Sequence, residues 1–312
     1  MRRRFALVFN PSAGVALPRL LDGVVGALRG AAAEVFQVPA RNAAEAAAQV
    51  ADLAASNLCD AVIAAGGDGT FRAVAAGAAG TALPVGIIPL GTGNVLAKEI
   101  GLGSRAADIA RVLLSGEVID VRGGMVNDAP FFLMLGAGFD GKVVANLNYS
   151  TKRTFGRAAY VYPVLKTLAE GPARFDVELD GRHFEASWTI LSFAKRYGSV
   201  FQLSPDGGIG NDRLIAVVME AGTRRETLAN LVSLAFGRLS RPETRPGGIH
   251  VVEVDVARIG RRSAAPIEVD GDQAGISPVE VRASGRRVKI IAPSAYVADL
   301  TNGRANRLAY EV

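Results

Sequence analysis

The sequence predicts an N-terminal α/β domain, an open and mainly parallel sheet with helices on both faces, followed by a β-rich and mainly antiparallel C-terminal domain. Three observations carry that prediction. Strand and helix signals alternate through the first 120 residues, which is the pattern of repeated βα units and hence of a doubly wound parallel sheet. Three of the apolar, strand-like runs lead directly into loops of small residues. Past Asp120 short β-rich runs separated by turn residues take over.

In order along the chain, the first domain reads as strand 5–9, helix 17–29, strand 34–38, helix 43–56, strand 61–65, helix 71–80, strand 85–89 and helix 105–115. Asn42 is placed to cap the second helix, and Gly77 and Gly80 mark the close of the third. The β-rich part reads as strands over 131–135, 175–179, 187–193, 214–219, 249–259, 267–270, 279–283 and 288–291, with helices over 157–169 and 225–236. The expected domains are 1–120 and 121–292, with the tail 293–312 packing back on the first domain as a helix.

The three loops are Asn10-Pro11-Ser12-Ala13-Gly14, Gly66-Gly67-Asp68-Gly69-Thr70 and Pro89-Leu90-Gly91-Thr92-Gly93-Asn94. In a parallel sheet the carboxyl ends of the strands share one edge, so the loops are expected to converge on one crevice. Glycines let backbone N–H groups approach a ligand, and a helix start presents unpaired donors with a partial positive charge, a combination suited to phosphate. Asp68 would repel a phosphate unless a divalent cation lay nearby. The combination points to a Mg²⁺-nucleotide.

Composition narrows the function classes. At 312 residues, 49% hydrophobic and 21% charged, the chain is globular and long enough for two domains. The lone Cys59 excludes an internal disulfide framework, and with only His183 and His250 beside it no His/Cys cluster for a transition metal is expected. A net charge of +5 favours an anionic partner. Basic residues are dispersed and aromatics make up 6%, so no nucleic-acid platform is expected. The apolar run after Arg2-Arg3-Arg4 is too short for a signal peptide, and no stretch approaches the roughly 18 apolar residues of a membrane span. The expected location is cytoplasmic.

The order of Asn-Pro-Ser-Ala-Gly, Gly-Gly-Asp-Gly-Thr, Pro-Leu-Gly-Thr-Gly-Asn and a late Val269-Asp270-Gly271-Asp272 resembles the diacylglycerol kinase and sphingosine kinase family. Gly136-Ala137-Gly138-Phe139-Asp140, Gly156-Arg157-Ala158-Ala159-Tyr160 and Tyr197-Gly198 ahead of Asn211-Asp212-Arg213-Leu214 fall where bacterial members carry similar segments. The resemblance implies two domains with ATP between them, a late acid as general base, and phosphorylation of a lipid hydroxyl. By the same resemblance, Asn10 to Gly14, Gly66 to Thr70 and Gly91 to Asn94 surround the nucleotide, and Mg²⁺ is met by Asp68 and Asp120. A structural cation would be held by Asp212 with the carbonyls of Ile209 and Leu214. The chain departs from the family pattern at Arg72-Ala73, where Asn-Glu is common, at Val95, where an aspartate is common, and at Arg213 and Ala216 in the structural-cation segment.

Spacing leaves two readings of Asp270 and Asp272 open, since Asp-Gly between β-runs signals a hairpin and a carboxylate is also the expected base for a lipid hydroxyl. The resemblance favours Asp272 as the base, with Asp270 as the other candidate. Lys152, Arg153 and Arg157 precede an apolar stretch with Tyr160 and Tyr162, a pattern suited to peripheral contact with an anionic membrane surface. The leading expectation is an ATP-dependent lipid kinase acting on diacylglycerol or a related amphiphile, with a homodimer allowed. The alternatives are a soluble-substrate kinase of the NAD kinase type and a nucleotide-binding regulatory protein. The apolar stretch Phe131 to Leu135 with Phe139 fits either a lipid tail or core packing.

Overall fold

A computed structural model describes residues 1–11, 18–148, 151, 156–197, 201–203, 208–236 and 248–301. Ser12, Ala13, Gly14, Lys152, Arg153, Gly198, the side chain of Arg157 and the tail beyond residue 301 lie outside the described residues. The chain forms two compact units, one of Met1–Val121 joined by the chain from Arg286 on, the other of Arg122–Gly285.

The first unit alternates β1 (Arg4–Phe9), α1 (Pro18–Gly30), β2 (Glu34–Pro39), α2 (Ala43–Ser56), β3 (Ala61–Gly66), α3 (Asp68–Ala78), β4 (Val85–Pro89), α4 (Val95–Glu99) and α5 (Ala106–Ser115). Its sheet runs β2-β1-β3-β4, every pair parallel. Strands β1, β3 and β4 are buried almost throughout, as their continuous apolar runs require when helices cover both faces. Phe5, Leu7, Ile63 and Ile88 meet Val24, Leu28, Ile109 and Leu113 in the core. Asn42 caps α2 by accepting the Glu45 N–H at 2.9 Å, and Asn57 closes that helix at φ 54°. Gly77 lies within α3, where it lets the helix approach α2: a Cβ there would collide with the Ala47 carbonyl oxygen. The turn that follows, at Gly80, has φ 81°.

The second unit begins in β5 (Glu117–Val126) and continues through β6 (Ala129–Phe131), β7 (Met134–Gly138), α6 (Phe139–Ala145), α7 (Val161–Glu170), β8 (Phe175–Leu179), β9 (Arg182–Ala186), β10 (Trp188–Ser192), β11 (Arg196–Tyr197) and β12 (Phe201–Gln202). Then come β13 (Leu214–Met219), α8 (Arg224–Ala235), β14 (Ile249–Val254), β15 (Val256–Ile259), β16 (Pro266–Val269), β17 (Asp272–Ile276) and β18 (Val279–Ala292). One sheet runs β14-β13-β10-β7-β16-β17, antiparallel at each pair. Its strands alternate faces with period two. Ile190, Ile215, Val217 and Met219 pack with Phe139, Val143 and Leu234 of the helices, whereas Leu191, Ala216 and Val218 pack with Phe175, Val177, Ala257 and Val281 of the neighbouring strands β8, β15 and β18. The result is a β-sandwich with helices on one outer face. Strand β18 is continuous where two separate runs were expected, and its end at Ile290 pairs with Val85 in the first unit. A helix over 294–301 follows it.

Candidate functional site

Because β1, β3 and β4 are parallel neighbours, the segments at Asn10-Pro11, Gly66–Thr70 and Leu90–Asn94 leave the same edge of the first unit's sheet. The second and third of these interlock. Leu90 N–H donates to the Gly66 carbonyl at 3.0 Å, and a Cβ on Gly91 would stand 2.6 Å from the Gly67 Cα. No side chain larger than hydrogen fits between the loops there. Asn94, at φ 50°, folds its side chain over its own loop, accepting the Gly91 N–H at 3.0 Å and donating to the Gly91 carbonyl at 2.6 Å.

Asp68 is the tie between the loops. Its carboxylate accepts N–H groups of Val95 at 3.1 Å and Leu96 at 3.2 Å, so it caps the short helix α4 from outside. Asp68 is half-buried and itself opens α3, whose N-cap Gly67 supplies no side-chain cap. The first-turn amides of an α-helix have no partner within the helix. A helix start uncapped by a side chain, flanked by glycines packed too closely for a Cβ, fits a phosphate group, and the Asp68 carboxylate fits a cation that accompanies it. Thr92 and Gly93 belong to the same loop, where Lys98 donates to the Gly93 carbonyl at 2.8 Å. Asp120, on β5, is held by Lys289 of β18 at 3.1 and 3.3 Å. Asn10 donates to the Arg41 carbonyl at 3.2 Å. Among the described residues no three His, Cys, Asp or Glu side chains group as a metal site.

In the second unit the Asp-Gly sequence closes the β16–β17 hairpin. Asp270 and Gly271 take φ of 51° and 85°, the two positive values of a type I′ turn. The Asp270 carboxylate, 8% exposed, accepts from the N–H groups of Phe132 at 3.3 Å, Leu133 at 3.0 Å and Met134 at 2.9 Å. That network ties the hairpin tip to the start of β7. Asp272 opens β17 and is half-buried. Of the two acids Asp270 is the one committed to backbone amides, while Asp272 stands at the start of the strand.

Sequence reasoning missed the acids beneath this tip. Glu268, on β16, is 3% exposed and accepts the Gly271 N–H at 2.8 Å. Asp140, in the first turn of α6, is 4% exposed and accepts the Tyr197 hydroxyl proton. Burial pushes Asp140 up to about 6 despite the Tyr197 hydrogen bond. Burial, and after it the Asp140 charge, holds Glu268 well above the usual carboxylate range. The sequence signal was a charged residue inside an apolar strand run, Ile267-Glu268-Val269, together with the glycines around Asp140.

The structural-cation segment is held by arginines. Arg122 donates to the Asp212 carbonyl at 2.8 Å and to the Ser284 carbonyl at 2.7 Å. Arg213 bridges Asp180 at 3.1 Å and Asp255 at 3.2 Å. Asp212 is exposed, Ile209 is buried and Leu214 begins β13. The Asp212 carbonyl is thus engaged by Arg122, and the Arg213 guanidinium by two carboxylates. Phe131 to Leu135 and Phe139 are filled core, each at most 7% exposed, so of the two readings of that stretch core packing is the one the structure supports.

Comparison with known proteins gives the same two-part division. A diacylglycerol kinase catalytic domain matches residues 4–126, and a YegS C-terminal NAD kinase beta sandwich-like domain matches residues 134–292. The diacylglycerol kinase of Mycobacterium tuberculosis is 29% identical over 307 residues, 91% of this chain and 93% of that protein. The probable lipid kinase YegS-like of Pseudomonas putida is 33% identical over 165 residues, 51% of this chain and 55% of that protein. The chain spans about half the length of the latter and of an uncharacterised Synechocystis protein that it also matches. The crystal structure of a putative diacylglycerol kinase from Bacillus anthracis shares the fold, with a TM-score of 0.75 at 20% identity over 95% of this chain and 97% of that one.

Proposed function

The chain belongs to the diacylglycerol kinase-like family that joins a diacylglycerol kinase catalytic domain to a YegS-type C-terminal domain, and from that premise we propose that it transfers the γ-phosphoryl group of ATP to a lipid hydroxyl. Diacylglycerol or a related amphiphile is the acceptor. The observation that carries this reading is the interlocked pair of glycine loops at the start of α3, with Asp68 fixed between them.

Phosphoryl transfer asks a protein mainly for positioning and charge neutralisation. The α3 start and the loop amides are placed to hold the phosphates, and Asp68 would hold Mg²⁺, which would supply charge neutralisation for the transferred group. The Asp272 carboxylate takes the proton of the acceptor hydroxyl as its oxygen bonds to the γ-phosphorus and ADP departs. Asp270 keeps the tip that carries Asp272 in place.

A lipid acceptor requires access to a membrane. No helix among the described residues is long and apolar enough to cross one. Instead α7 exposes Val161, Tyr162 and Leu165, and α8 with its C-cap residue exposes Leu228, Val232 and Phe236 at four-residue spacing, a stripe along one helix face. Arg224 and Arg225 open α8 beside that stripe. We assign these helices to peripheral contact with an anionic bilayer.

The deciding experiment incubates the protein with Mg²⁺ and γ-labelled ATP in three arms: mixed diacylglycerol micelles, anionic vesicles carrying diacylglycerol, and NAD. Label is expected in the lipid phase, and on the anionic vesicles faster at low than at high salt. Label in the NAD arm alone would replace the lipid reading with a soluble-substrate kinase, and no label in any arm would leave a nucleotide-binding protein.

A further inference from the structure

Beneath the Asp270-Gly271 tip lies a pair of acids that the proposed transfer does not use. Glu268 sits opposite Gly136 of β7 in the sheet register, so the two residues face the same side of the sheet. Asp140 folds over Gly136 from that side, since a Cβ on Gly136 would collide with Asp140 Oδ2. The register therefore brings the carboxyl groups of Glu268 and Asp140 face to face. Gly141 allows α6 to sit this close, because a Cβ there would strike the Pro266 carbonyl at the start of β16.

Both acids are buried beside aromatic rings. Phe139 packs on Trp188 with ring centroids 4.8 Å apart, and Trp188 meets Tyr197 edge-on at 6.2 Å. Two carboxylates cannot both carry charge in such a place, so one proton stays between them. Tyr197 supplies the donor for Asp140 Oδ1, which leaves the buried Asp140 Oδ2 in need of a donor from Glu268 or the Trp188 indole, both of which act on the Asp140 carboxyl. A proton resident on Glu268 meets that need, while Glu268 Oε2 accepts the Gly271 N–H at 2.8 Å.

We infer that Glu268 and Asp140, sharing one proton, are positioning residues that anchor the tip of the β16–β17 hairpin through Gly271 and thereby fix the neighbouring Asp272. The effect on turnover rests on the reading of Asp272 as the base; the anchor does not.

The test uses two variants of the full chain. Glu268→Gln keeps both bonds, because its amide nitrogen donates to Asp140 and its oxygen accepts from Gly271, but it holds no transferable proton. Glu268→Leu fills similar space and makes neither bond. In Glu268→Leu the Gly271 amide should exchange with solvent about tenfold faster. Turnover should fall by about 10²-fold at unchanged KM for ATP, the scale of a misplaced reacting group. Glu268→Gln should stay near wild type in both readouts. Unchanged Gly271 exchange in Glu268→Leu would overturn the anchor, and a Glu268→Gln variant as slow as Glu268→Leu would overturn positioning in favour of proton transfer through the pair. Should the leucine variant fail to fold, the glutamine variant decides alone, because loss of Gly271 protection there also refutes the anchor. A wild-type protein that labels no lipid defeats the kinase reading, while the exchange measurement still judges the anchor.

Discussion

In the first unit Asp68 opens a helix that Gly69 continues, whereas in the second Asp270 and Gly271 both take positive φ and close a hairpin. The same dipeptide thus serves opposite backbone conformations. In both places the aspartate binds amides of another chain segment, Val95 and Leu96 for Asp68, Phe132 to Met134 for Asp270. The difference lies in burial. Asp68 is half-buried with two amide bonds, and Asp270 is 8% exposed with three. A half-buried carboxylate can tie loops and still meet a cation, but one sunk among three amides cannot also take a proton from substrate. Under the proposed function the two tasks of the second turn are divided, Asp270 holding the tip and Asp272 assigned to the acceptor.

The largest effect should come from removing the charge that serves both tasks. Asp68→Asn is expected to lose nearly all turnover while the protein remains folded, because the amide oxygen still caps one α4 N–H and the loss of the second costs about 1–3 kcal/mol. Thermal melting with a turnover assay at saturating Mg²⁺ separates the two. Near-normal turnover would mean that Asp68 is only a cap, and the two turns would then be alike.

Next comes the base. Asp272→Asn should lower single-turnover phosphorylation by about 10² to 10⁴ with ATP affinity nearly unchanged, since the amide keeps the size but cannot accept the proton. An unchanged rate would reduce the late motif to a hairpin.

A third effect belongs to the second turn, through the acids below it. Asp140 is raised from an ordinary 3.8 to about 6, chiefly by burial. Between those values the folded state binds more protons than the unfolded one, so stability falls as pH rises. The contribution is fully present below the unfolded value and lost as pH passes the folded one. Glu268 and Tyr197 face Asp140, and Asp270 and Asp272 act on Glu268. Asp140→Asn removes this titration, so urea unfolding should show the wild type losing stability relative to the variant as pH rises from about 4 to about 7. A pH-independent difference would remove Asp140 from the account.

The strands carrying the loops were legible because burial on both faces demands unbroken apolar runs, as in Ala61–Gly66 and Val85–Pro89. The helix α4 was not, because its start is set by Asp68 from 27 positions away and by the left-handed turn at Asn94. Mixed polar strands escaped for a related reason. Glu117–Val126 and Arg182–Ala186 owe their extension to their partners in the sheet, and Ser284-Gly285-Arg286-Arg287 hid the continuity of β18. The Asp-Gly hairpin was visible in the sequence; that its aspartate binds Phe132 to Met134, and that Asp140 meets Glu268, depends on register between distant strands.

The smallest expected effect on catalysis tests the division of tasks most directly. Asp270→Asn keeps one carbonyl oxygen for Leu133 and Met134 but turns an NH₂ group toward the Phe132 N–H, setting donor against donor. Stability should fall by about 1–3 kcal/mol, the cost of a buried amide left unsatisfied. Single-turnover phosphorylation should fall by less than in Asp272→Asn, because the type I′ turn tolerates asparagine at positive φ and still delivers Asp272 to its strand position. Unfolding and transfer must therefore be measured on the same preparations of both variants. If Asp270→Asn abolishes transfer at unchanged stability while Asp272→Asn transfers normally, the roles are exchanged, and the carboxylate read here as a tie would be the one that meets the hydroxyl.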